Sequence, residues 1–141
     1  MGQNFGEWLE EAFVAGPILG WRLWRTTADG TLMSVYKDVL WRAGTPLRAN
    51  PKNPGEGVYA LKDRTKLDGR GYTLTADQSG MVVGQVALWG TVIEHERGYR
   101  AQYAYPALID LAPPMPGFPR PASLLRLAKA IRERYGCEVT V

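Results

Sequence analysis

Glu94, His95 and Glu96 are the residues of this chain whose types could move a proton at neutral pH, because a carboxylate beside an imidazole tunes both groups for acid–base work. Their spacing argues for another role. In a strand, consecutive side chains point to opposite faces, so Glu94 and Glu96 share a face while His95 points away from both. The chain has a single histidine, and no reactive serine or cysteine motif accompanies the triplet. Charges beside a hairpin corner sit in solvent and pair across strands, here with residues such as Arg97 or Arg100. No catalytic residue is expected, and hydrolase chemistry at this triplet would require the three side chains to meet in a pocket.

Two glycine-rich stretches, Gly55-Glu56-Gly57 and Asp68-Gly69-Arg70-Gly71, neither open a helix nor end in Gly-Lys-Ser/Thr, so they read as turns and not as phosphate loops. Cys137 is the only cysteine, which rules out an intrachain disulfide and a cysteine-based zinc site within one chain and fits a reducing cytoplasm. No metal and no cofactor are expected. Basic and aromatic residues interleave in Gly20-Trp21-Arg22-Leu23-Trp24-Arg25 and again in Tyr99-Arg100-Ala101-Gln102-Tyr103. That combination stacks on single-stranded nucleic acid, but in a strand it equally describes core aromatics with arginines on the wet face.

The elements that must position these residues are written in the hydrophobic pattern. From Val83 to Pro106 two alternating runs flank a polar corner at Glu96, Arg97 and Gly98, which specifies a half-buried antiparallel hairpin. Ile18 to Arg25 alternates likewise, and the Ala28-Asp29-Gly30 turn returns the chain into Thr31 to Tyr36 as a first hairpin. Gly44 to Gly57 holds Pro46, Pro51 and Pro54 and reads as a loop over most of its length. Gly57 to Leu61 is a short apolar run that re-enters the core, and Lys62 to Gly71 reads as a charged, solvated connection.

Two helices bracket this sheet. Phe5, Trp8, Leu9, Ala12 and Phe13 recur at helical spacing behind a possible Asn4 N-cap, which predicts an N-terminal helix over 1–15. Leu124, Leu127, Ala128, Ile131 and Tyr135 form one apolar stripe that ends at Gly136, which predicts a C-terminal helix followed by a short strand over 121–141. A stiff proline-rich spacer, 112–121, separates that helix from the sheet region, 16–111.

A chain of 141 residues that is 45% apolar and 11% aromatic is expected to be one domain with a real core. The fold class expected is α+β: an antiparallel, twisted sheet of hairpin-connected strands flanked by an N-terminal and a C-terminal helix. Without a signal segment or an apolar run of membrane-spanning length, a soluble cytoplasmic protein is expected, with no membrane partner. Net charge is +3, but it is divided. Glu7, Glu10 and Glu11 make the start acidic, while Arg120, Arg126, Lys129, Arg132 and Arg134 make the end basic.

This division favours a binding protein over an enzyme. Trp8, Leu9 and Phe13 would be apolar anchors for a protein partner, and Arg126, Lys129, Arg132 and Arg134 would supply a charged rim. The alternative is a small nucleic-acid-binding domain of a mobile element, in which Arg22, Arg25, Arg100 and the C-terminal basic residues neutralise phosphates.

Gly20-Trp21-Arg22, Gly57-Val58-Tyr59-Ala60 and the block from Val83 to Pro106 together resemble a small domain of actinobacterial and phage proteins, over roughly Gly16 to Pro106. Members often carry cysteines in the loop before the Gly-Ile-Tyr-Ala run. This chain has Asn50, Pro54 and Glu56 there, so no metal role carries over. Within that family the length, the composition and the proline-tethered basic helix are similar to bacteriophage transcription regulators that bind host RNA polymerase. The resemblance implies a cofactor-free, monomeric regulator in the host cytoplasm. Its partners would be the β subunit flap and the C-terminal region of sigma, and it would inhibit −35-dependent promoters and oppose termination.

Overall fold

The computed structural model describes residues 17–35, 39–53, 55–68, 80–111 and 122–141. The helix expected over 1–15, with Trp8, Leu9 and Phe13, and the spacer over 112–121 lie outside those residues. The fold is α+β. Strands β1 (Ile18–Thr26), β2 (Leu32–Ser34), β3 (Leu40–Trp41), β4 (Leu47–Arg48) and β5 (Val58–Leu61) come first. A single helical turn, α1 (Thr65–Asp68), precedes the long strands β6 (Met81–Glu94) and β7 (Gly98–Asp110), and helix α2 (Ala122–Tyr135) leads into β8 (Glu138–Thr140).

The β6–β7 hairpin is the spine, as its alternation predicts. β6 pairs antiparallel with β7 from Val83↔Asp110 to Glu94↔Tyr99, and its corner is closed by the His95 amide donating to the Gly98 carbonyl at 2.8 Å. Register shifts at Gln85/Val86 and between Trp89 and Val92 bend it. The second shift contains Gly90 at φ 77°, where a Cβ would lie 2.7 Å from both the Gln102 Oε1 and the Tyr103 ring. The same Gln102 oxygen accepts from the Thr91 amide at 3.1 Å, so a side chain satisfies a backbone donor at the irregularity.

Pairing runs round a closed circuit. β1 pairs with β6, β6 with β7, β7 with β5, and β5 returns to β1 through one partnership, Trp21↔Leu61. Small residues allow the approach: a Cβ on Gly20 would stand 2.5 Å from the Ala60 Cβ. Beyond Trp21, β1 exchanges β5 for β2, which it pairs from Trp24↔Ser34 onward.

Three features depart from the pattern expected of the sequence. β8 lies parallel to β7, so the sheet is mixed and not wholly antiparallel. The reason is connection length, since a helix between two strands carries the chain back to its starting end and makes the second strand parallel. The stretch from Lys62 to Gly71 contains α1, whose Leu67 is buried against Leu23 and Val83, so an apolar anchor organises a segment that composition alone reads as solvated. Within the proline-bearing loop, β4 pairs with β7 at Leu47↔Ala104.

The core lies between the sheet and α2. The predicted stripe of α2, Leu124, Leu127, Ala128, Ile131 and Tyr135, is buried, and it packs with Trp24, Leu32, Trp41, Val82, Val86 and Ile109 in one cluster. Each leucine, isoleucine or valine of this set removed from water contributes about 1.5–3 kcal/mol. Tyr135 also spends its hydroxyl in the core, accepting from the Leu32 amide at 2.8 Å and donating to the Trp41 carbonyl at 2.7 Å. Burial pushes its phenol above the usual tyrosine value. Among the described residues no helix is long and apolar enough to cross a membrane.

Candidate functional site

The Glu94-His95-Glu96 corner has the strand-end geometry that the sequence implies. All three residues are exposed, and Glu94 forms an ion pair with Lys62, whose ammonium lies 5.5 Å from the Tyr99 ring centre. The hydrogen bond to Glu94 raises the Lys62 pKa, with burial opposing it. The corner therefore acts as a cross-strand clasp. Among the described residues, no group of three histidine, cysteine or carboxylate side chains is placed to hold a metal. Cys137 is partly buried, and burial pushes its thiol up to about 11.

The four cations expected on the last helix have different surroundings. Arg132 Nη2 donates to the Val139 carbonyl at 2.9 Å, tying α2 to β8. Arg134 reaches Asp29 Oδ2 at 3.4 Å. Asp29 itself accepts from the Thr27 hydroxyl and the Thr31 amide, and these bonds, the Thr27 one first, pull its carboxyl down to about 2. Among the described residues Lys129 pairs only with Glu133, at 3.8 Å and in solvent, while Arg126 is exposed with Leu125 beside it at 49% exposure. Arg132 and Arg134 thus hold structure together, and Arg126, Lys129 and Leu125 face outward.

The interleaved run on β1 places its two tryptophans on opposite faces of the strand. Trp24 is fully buried edge-on to Trp41, with ring centres 5.5 Å apart. Trp21 lies on the other side of the strand, with the Arg64 guanidinium 5.2 Å from its ring centre. On β7, Tyr103 stacks on Trp89 at 5.9 Å and has Arg48 against it.

Arg22 is the residue the sequence reading misplaced. Being two positions from Trp24, it shares that residue's face and points inward, whereas an alternating pattern puts the arginines on the wet face. The i, i+2 spacing of Arg22 and Trp24 was the available signal. Arg22 sits at the seam where β1 changes partner from β5 to β2. Its Nη1 donates to the Tyr59 carbonyl at 2.7 Å, its Nη2 donates to Ser34 Oγ at 3.0 Å, and its guanidinium lies 4.9 Å from the Trp41 ring centre. Burial lowers its pKa to about 10. The seam opens into a cavity of about 570 Å³, within the range of small-molecule sites.

Compared with protein-family models, curated proteins and solved structures, the chain finds no match.

Proposed function

We propose that the protein is a non-enzymatic binding module, that it engages a macromolecular partner through the outward side of α2, and that this partner is host RNA polymerase. The observation that carries the reading is the division of α2. Its apolar stripe is consumed by the core, Arg132 and Arg134 are engaged by Val139 and Asp29, and Leu125, Arg126 and Lys129 are left facing solvent. An apolar contact with a cationic border is the composition by which protein interfaces recognise acidic surfaces.

The identity of the partner rests on resemblance. The Gly-Trp-Arg, Gly-Val-Tyr-Ala and long-hairpin motifs are similar to the phage and actinobacterial family, and the chain's overall character is similar to a Thermus bacteriophage transcription factor. On this reading the protein works in the host cytoplasm as a monomer without cofactor. It contacts the β flap and the sigma C-terminal region, displaces sigma from −35 elements and opposes termination. Trp8, Leu9 and Phe13 serve as additional anchors.

The test is retention of purified, nuclease-treated Thermus RNA polymerase holoenzyme on immobilised protein. Retention that is lost when the sigma C-terminal region is deleted is expected. Failure to retain the enzyme overturns the reading. Affinity for naked DNA that falls steeply with salt would instead assign the nucleic-acid-binding alternative.

A further inference from the structure

We infer that the seam cavity beside Arg22 is a binding site for a small amphipathic monocarboxylate, an organic acid whose carboxylate meets Arg22 and Ser34 and whose apolar body fills the rest of the cavity. The site is independent of the macromolecular partner proposed above.

Hydrogen-bond bookkeeping identifies the chemistry of its polar end. A serine hydroxyl offers two acceptor positions and one donor. Ser34 Oγ accepts from Arg22 Nη2 and from Trp41 Nε1, each at 3.0 Å, so its acceptor positions are filled. Its own O–H has no acceptor among the described residues. Arg22 is similarly underused: beyond the bonds to Tyr59 and Ser34 its remaining N–H groups have no partner among the described residues, and its buried Nε–H is one of them. No described carboxylate lies within ion-pair distance of its charge. The unspent polar capacity at this point consists of donors around a cation, and an oxyanion supplies the missing acceptors.

The walls identify the rest of the molecule. Leu47, Val58, Leu61 and Leu67 line the half-open cavity together with Val35 and Val39, giving apolar walls on both sides of the seam. A free inorganic anion would leave this surface wetted, whereas an apolar chain or ring displaces that water. Charge then restricts the anion. Arg48 also lines the cavity, and Glu56 stands in its wall as an opposing negative group, so the three formal charges sum to that of one cation. A monoanion matches that sum, and a dianionic phosphate would meet Glu56 uncompensated.

The test uses the full chain and its intrinsic tryptophan fluorescence, to which Trp21 in the cavity wall and Trp41 against Arg22 and Ser34 contribute, with decanoate, decanol and acetate as probes below their aggregation thresholds. Saturable decanoate binding is expected, with decanol at least roughly tenfold weaker and acetate giving no change at the same concentration. In Arg22→Met, with unaltered far-ultraviolet circular dichroism, decanoate should bind no better than decanol, whereas Arg22→Lys should keep a preference for decanoate. Equal binding of decanoate and decanol to the wild-type protein overturns the proposal even if Arg22→Met fails to fold. So does absence of saturable decanoate binding, or acetate binding as tightly as decanoate.

Discussion

The inner and outer sides of α2 carry different kinds of side chain and have different surroundings. On the inner side Leu124, Leu127, Ala128, Ile131 and Tyr135 are buried, and the one polar group among them, the Tyr135 hydroxyl, has both a donor and an acceptor in the core. On the outer side Leu125 is half exposed, Arg126 has solvent around it, and Lys129 has one distant carboxylate. Magnitudes separate the two. The inner leucines and isoleucine contribute about 1.5–3 kcal/mol each through burial, and an exposed ion pair contributes about 0–1 kcal/mol. Attachment of α2 is therefore explained without its outer cations, which the reading proposed above assigns to a partner.

Breaking the inner side should cost most. Ile131→Ala, at a fully buried position, is expected to lower unfolding stability by about 2–5 kcal/mol, read as a shift in urea midpoint. Tyr135→Phe removes the hydroxyl that serves Leu32 and Trp41 and leaves a buried amide and carbonyl unpaired, so a loss of about 1–3 kcal/mol is expected in the same assay. The outer side should be insensitive by comparison. Arg126→Glu combined with Lys129→Glu is expected to change stability by less than about 1 kcal/mol.

Asp29 sharpens the boundary between the two sides, because it engages Arg134 at the edge of α2. Its folded pKa, about 2, lies below the ordinary value of 3.8, chiefly through the Thr27 hydrogen bond. Its contribution is therefore present above about pH 4 and disappears as pH falls toward 2. The stability difference between the wild-type protein and Asp29→Asn should be measurable near neutrality, small because the site is exposed, and should close across that acid window.

How much of this was legible in sequence depended on whether one residue period governed the segment. The α2 stripe has one dry face, so a period of 3.6 specifies it directly, and the β6–β7 hairpin is long enough for its alternation to be read although Val82 and Val83 are buried on opposite faces of β6. β1 is only nine residues long and packs Trp24 on one face and Leu23 on the other, so alternation by itself names no inside, and only the i, i+2 spacing of Arg22 with Trp24 places the arginine inward. Leu67 is a lone apolar residue in a charged stretch, too little for a periodic signal to mark α1. The parallel placement of β8 follows from tertiary return of the chain, and the Tyr135 hydroxyl bonds span from the end of the chain to Leu32 and Trp41, a distance over which local pattern carries no information. The outward cations of α2 could be named from sequence, but which of them are already engaged could not.

The most direct measurement is the affinity of Thermus RNA polymerase holoenzyme for the wild-type protein and for the Arg126→Glu, Lys129→Glu double variant, with thermal unfolding recorded on the same samples. The account predicts matched unfolding midpoints and at least roughly tenfold weaker binding by the variant. Unchanged affinity at matched stability would contradict the assignment of the outer side of α2 as the partner-binding surface.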